Sequence, residues 1–156
     1  MPDAIELDDV TLVYEERNSG SKDRPAVVFV HGLGGSSYSW WAQLAACEAR
    51  GHRAIAYDQR GAGRSARPDG PYSVELWVRD LERVLDGLDV DRAVLIGHSV
   101  GCMVAEQASV RLGDRVRGLV MLGGAPFHFW PADLFQGGRT WAAPLASNAG
   151  FGANSP

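Results

Sequence analysis

Lysine is almost missing from this chain: of its 15 basic residues only Lys22 is a lysine. Arginine carries the rest without forming a basic block, and the formal net charge is −4. That excludes a nucleic-acid partner, because phosphate backbones are bound by clustered positive charge. Cysteine is scarce as well. Cys47 and Cys102 lie far apart in segments of helical character, which excludes a disulfide framework and fits a reducing compartment or plain packing. The acidic opening Met1-Pro2-Asp3-Ala4-Ile5-Glu6 has neither the basic nor the apolar region of a signal peptide. No apolar run approaches a membrane span, so the expectation is a cytoplasmic protein with no membrane partner. No metal-ligand cluster occurs, and Gly32-Leu33-Gly34-Gly35 lacks the lysine of a phosphate-binding loop. Neither a metal nor a cofactor is expected.

What is present suffices for one compact domain of 156 residues, 46% of them apolar. Ile5–Leu7 and Thr11–Glu15 read as short strands joined at Asp8-Asp9, an opening hairpin. Ala26–Val30 is a continuous apolar run with three valines, suited to a strand buried on both faces of a parallel sheet. It ends in His31-Gly32-Leu33-Gly34-Gly35-Ser36, where glycines permit a tight turn and leave N–H groups free to face a ligand. A helix over Tyr38–Ala49 follows, with Ser39 as its N-cap and Gly51 just past its end. The strand Arg53–Tyr57 opens into Asp58-Gln59-Arg60-Gly61-Ala62-Gly63-Arg64-Ser65. Ser73 can cap a helix over Val74–Leu88, whose Trp77, Leu81, Val84, Leu85 and Leu88 form one apolar stripe.

The remaining strands are Ala93–Ile96 and Val116–Leu122, separated by a helix over Gly101–Leu112. Between the first of them and that helix stands Gly97-His98-Ser99-Val100-Gly101. A strand running through Gly-X-Ser-X-Gly into a helix is the context of a nucleophile elbow. The flanking glycines let another backbone segment come close, the turn lifts the serine hydroxyl above the sheet, and the Val100 N–H opens a helix where it can face developing negative charge. The alternation of strands and helices predicts an α/β architecture, a mostly parallel sheet with helices on both faces. His31, Asp58 and Ser99 all fall at the carboxyl ends of strands, the edge where such sheets bind ligands.

Three motifs together resemble the α/β-hydrolase fold family, in the family's own order. His31-Gly32-Leu33-Gly34-Gly35 is similar to its His-Gly-X oxyanion loop, Asp58–Ser65 resembles the Asp-X-Arg-Gly-X-Gly-X-Ser turn of its single-domain branch, and Gly97–Gly101 resembles its elbow. The Asp-Gln-Arg-Gly variant is similar to that of proline iminopeptidases, with close relatives in enol-lactonases, epoxide hydrolases and simple carboxylesterases. The resemblance implies a serine hydrolase acting on a small apolar ester, lactone or amide. Ser99 would be the nucleophile, the N–H groups of Leu33 and Val100 the oxyanion hole, and His31, Gly32, Gly34, Gly97 and Gly101 the supporting loops. It covers Ile5 to about Pro126, so residues 1–126 read as the N-terminal part of the core and 127–156 as the start of a cap or a disordered tail.

The implied histidine and its carboxylate are harder to place. In the family they follow the serine, and the chain reads as stopping before the last strands. Only His128 remains beyond Ser99, with Asp133 its nearest acid, and Asp114 belongs to the far end of the sheet. His31 is expected to brace the loop it opens, His52 lies at the wrong end of its strand, and strand alternation turns His98 away from its neighbour. Cys102, in the helix after the elbow, reads as an inert core thiol. Trp40, Trp41, Phe127, Phe129 and Trp130 fit either an apolar substrate pocket or core. Three readings stay open: a serine hydrolase, a catalytically incomplete fragment that binds a ligand, and a half-enzyme completed by self-association or another chain. The last strand, Val116–Leu122, is expected to leave an unpaired, apolar edge.

Overall fold

The computed structural model describes residues 2–124, which build one six-stranded sheet in the order β1-β2-β4-β3-β5-β6. The opening hairpin is longer than the apolar alternation suggested: β1 covers Asp3–Leu7 and β2 Val10–Arg17. The extra residues of β2 are held by antiparallel pairing to β4 (Ala54–Tyr57), from Tyr14 opposite Tyr57 to Arg17 opposite Ala54. From β4 onward all neighbours are parallel, through β3 (Ala26–Val30) and β5 (Ala93–His98) to β6 (Val116–Leu122).

The order explains where the helices go. The step from β3 to β4 crosses the sheet in one direction, while the steps from β4 to β5 and from β5 to β6 run the other way. Right-handed crossovers then place the first helix on one face and the other two on the opposite face. Accordingly α1 (Trp41–Ala49) packs Trp40 and Leu44 against Phe29, Ala54 and Ala56. On the other face α2 (Val74–Gly87) and α3 (Val100–Leu112) cover Val28, Val30, Ile55, Tyr57 and Leu95. The expected stripe of α2 is the buried one: Leu81, Val84 and Leu85 are fully enclosed, with Trp77 and Leu88 at its margins.

Helix ends follow the sequence unevenly. Ser73 caps α2 as expected, its hydroxyl accepting from the Leu76 N–H at 3.1 Å. Ser39 does not cap α1. A 3₁₀ turn over Ser37–Trp40 precedes it, α1 starts at Trp41, and no side chain bonds its first turn. Gly51, at φ +72°, ends α1 in a Schellman motif, with His52 N–H on the Cys47 carbonyl and Gly51 N–H on that of Glu48. Trp40 packs in the core with its ring tilted against Phe29 at a centroid distance of 5.0 Å, whereas Trp41 is exposed.

The sheet ends, among the described residues, on β6. Leu119, Val120, Met121 and Leu122 are each at least 36% exposed, on both faces of the strand. Among the described residues the strand thus shows the apolar exposure read from the sequence. Pro126, the aromatic stretch after it, His128, Asp133 and the boundary at residue 126 lie outside the described residues.

Candidate active site

The parallel strands β4, β3 and β5 deliver Asp58, His31 and Ser99 to one edge of the sheet. Ser99 sits between β5 and α3 with φ +52° and ψ −122°, a region a side-chain-bearing residue enters at a cost of about 1–3 kcal/mol. Its backbone is pinned on both sides: its N–H donates to the Leu122 carbonyl at 3.1 Å, and its carbonyl accepts from Cys102 N–H at 2.9 Å. The side chain is exposed, and its hydroxyl has no hydrogen-bond partner among the described residues.

The glycines around it are required by close approach. A side chain on Gly97 would collide with the Gly101 carbonyl, and one on Gly101 with the Val30 carbonyl. These contacts are backbone against backbone and have nowhere to relax. Gly101 thus lets α3 start directly against the end of β3, and a side-chain carbon at Gly32 would lie 2.9 Å from Ser99 Cβ. The turn after β3 and the turn after β5 therefore touch at Gly32 and Ser99. Val100 is the first residue of α3, so its N–H has no acceptor within the helix. Leu33 is 74% exposed in a turn where Gly34 takes φ +72° and Gly35 N–H closes on the Gly32 carbonyl at 3.1 Å.

His31 is buried with both ring nitrogens engaged. Nε2 accepts from the Gln59 N–H at 3.0 Å, which places the proton on Nδ1, 2.8 Å from the Gly32 carbonyl. Burial pushes the imidazole below its ordinary value, against the Gly32 carbonyl and the Asp58 charge, which pull it back up. It is a neutral strut with no lone pair to spare. Gln59 repeats the tie, its side-chain NH₂ donating to the His31 carbonyl at 2.8 Å. The sequence reading passed over Gln59. The signal available was the adjacency of the turns after β3 and β4, which parallel pairing of those strands guarantees.

Asp58 is spent on structure too. Its carboxylate accepts the Ser37 N–H at 2.6 Å and the Arg64 N–H at 2.8 Å. Burial pushes this carboxyl up, but the N–H groups of Arg64 and Ser37, the Ser37 hydroxyl and the Arg64 charge outweigh that and hold it below the ordinary carboxylate range. Ser65 accepts the Val13 N–H at 2.9 Å and donates to the Asp58 carbonyl at 2.5 Å. Arg60, 5% exposed, makes a bidentate pair with the fully buried Asp80 at 2.5 and 2.6 Å and reaches Asp9 at 2.9 Å.

The other sequence candidates separate cleanly. Asp114 lies in the 3₁₀ turn Gly113–Arg115, at the opposite edge of the sheet, and His52 precedes β4 there. Cys102 is buried, its thiol donating to the Gly97 carbonyl at 3.2 Å, and burial raises its pKa. His98 makes no hydrogen bond to Ser99, yet its ring stays at the edge: Nδ1 would lie 3.1 Å from a side-chain carbon on Gly32. Among the described residues no group of His, Cys, Asp and Glu could hold a metal ion, and no helix is long and apolar enough to cross a membrane.

A family model described as alpha/beta hydrolase fold matches residues 25–143. A putative carbamate hydrolase RutD from Variovorax paradoxus is 42% identical over 128 residues, 81% of this chain and 46% of that protein. Epoxide hydrolase 2 from Siraitia grosvenorii is 42% identical over 100 residues, 63% of this chain and 32% of that protein. Among solved structures, a mutant epoxide hydrolase from Vigna radiata superposes with a TM-score of 0.75 at 30% identity, covering 84% of this chain and 41% of that one. The chain thus spans less than half the length of each.

Proposed function

The chain belongs to the α/β-hydrolase fold family, and from that premise we propose that it carries the nucleophile and oxyanion hole of a serine hydrolase acting on small esters, lactones, amides or carbamates. The observation that carries the reading is Ser99 itself: an exposed, unbonded hydroxyl on a strained strand-to-helix turn, held against the Gly32 turn. Ser99 Oγ attacks the carbonyl carbon. The N–H groups of Leu33 and Val100 receive the oxyanion, each donor contributing about 3 kcal/mol to the transition state. Collapse expels the alcohol or amine, and water then releases the acyl or carbamoyl group from Ser99.

The residue type at position 99 also chooses among the relatives' named chemistries. A serine that opened an epoxide would become an ether, which offers water no carbonyl through which to regenerate the enzyme. An acyl or carbamoyl serine does offer one. The carbonyl substrates are therefore favoured over the epoxides.

On this reading the proton acceptor comes from outside residues 2–124. His31 has both nitrogens bonded, His52 is at the other edge, and His98 makes no bond to Ser99. His128 is the candidate within the chain. The same observation supports the second reading, in which another polypeptide supplies the base. Turnover of a phenyl ester, a phenyl carbamate and a matched epoxide by the wild-type chain and Ser99→Ala tests the proposal. Hydrolysis of the first two, lost in Ser99→Ala, is expected; epoxide opening that survives the substitution would contradict it. Loss of ester turnover in His128→Ala places the base in this chain, and its retention places it elsewhere.

A further inference from the structure

His98 is the last residue of β5, paired in parallel register with Leu122. Alternation puts it on the face of Ile96, the α1 side of the sheet. It is exposed, and neither ring nitrogen has a hydrogen-bond partner among the described residues. Its neighbours are two glycine turns. The three atoms nearest a side-chain carbon on Gly32 would be Ser99 Cβ at 2.9 Å, His98 Nδ1 at 3.1 Å and the His98 carbonyl at 3.2 Å. On its other flank, Cδ2 and Nε2 would each lie 3.8 Å from a side-chain carbon on Gly123. The imidazole occupies the gap between the turn after β3 and the turn after β6, space that both turns leave open by having glycine there.

Gly32 is thus flanked by two histidines of opposite character. His31 holds its carbonyl from within by a hydrogen bond of 2.8 Å. His98 lies beside it on the solvent side, next to Ser99, without one. We infer that His98 is a positioning residue: its ring wedges Gly32, and with it the Leu33 N–H, against the Ser99 turn by shape alone. Its effect on reactivity rests on the reading of Leu33 as an oxyanion donor, whereas its effect on the loop does not.

Shape and nitrogen chemistry are separable by substitution. Phenylalanine keeps a flat ring without nitrogens, and alanine removes the ring. The experiment is ¹⁵N NMR on the full chain and its His98→Ala and His98→Phe variants, with the fluorophosphonate labelling rate of Ser99 measured alongside. In His98→Ala the order parameters of the Leu33 and Gly35 amides should drop from about 0.85 to below about 0.6. Exchange of Gly35 N–H should speed at least about tenfold while Arg64 N–H, held by Asp58, keeps its rate. Labelling should fall about tenfold, the cost of a misaligned donor. His98→Phe should restore all three. A Gly32 turn unchanged in His98→Ala would overturn the inference, and so would His98→Phe losing as much as His98→Ala, since a ring nitrogen would then be needed. A loosened loop with undiminished labelling supports the wedge and removes Leu33 from the oxyanion hole.

Discussion

The two flanks of β3 and β5 are built on different terms. Toward β4, polar groups are buried and tied: His31 to Gln59 and Gly32, Asp58 to Ser37 and Arg64, Ser65 to Val13, and Arg60 to Asp80. Toward β6, four consecutive large apolar residues are exposed, and the strand meets the elbow through backbone pairing and through the Leu122 carbonyl on Ser99 N–H, with no buried charged group between them among the described residues. The contrast teaches that the edge is positioned from the β4 side. The Asp58–Ser65 turn, rich in ionisable residues, spends them on holding the neighbouring loop rather than on chemistry.

The largest expected effects lie on the tied flank. Asp80→Ala leaves the buried Arg60 guanidinium without its bidentate partner, and urea unfolding should register a loss of about 3–5 kcal/mol. A retained midpoint would mean that Asp9 alone satisfies Arg60. Gly101→Ala forces a methyl into the Val30 carbonyl and should cost about 3 kcal/mol or more, read in the same way. Next comes Ser65→Ala, which strips a partner from Val13 N–H and should cost about 1–3 kcal/mol.

A pH series probes the same flank more gently. The unfolded His31 imidazole takes a proton near 6.5, while burial makes the folded one protonate only at lower pH. The unfolded state therefore binds more protons in between, and stability falls as pH drops below 6.5, an effect His31→Gln should reduce. Asp58 and Asp9 act lower still. Hydrogen bonds from Arg83 and Arg60 hold Asp9 at about 2 against an unfolded value of 3.8, so its contribution is full above that value and lost toward pH 2. The smallest effect belongs to the open flank. Val120→Lys should change the unfolding midpoint by no more than about 0.5 kcal/mol, while light scattering should find less self-association than in the parent chain. A large stability loss there would erase the contrast between the flanks.

The division also marks what the residues reveal when read in order. Strand and helix placement followed from local pattern: the valine run of β3, the stripe of α2 and the Ser73 cap each depend on neighbours a few positions away. The apolar exposure of β6 among the described residues was expected from the resemblance, which implies further strands beside Val116–Leu122. Gln59 was not, since its bonds to His31 span 28 positions and exist only once β3 and β4 pair. Ser39 misled for a related reason. Ser37 N–H bonds the distant Asp58 carboxylate, and the chain tightens into a 3₁₀ turn before α1 begins. At the site, the glycines at 97 and 101 carried the local geometry, whereas the His98 wedge depends on Gly32 and Gly123 flanking one ring from two turns distant in sequence.

The most direct test of the account is mass spectrometry of the folded chain after exposure to a fluorophosphonate probe, with Ser99→Ala as control. The account predicts a single adduct, mapped to Ser99 and absent from the variant. A chain that keeps its circular dichroism yet takes no adduct, or takes one elsewhere, would contradict it.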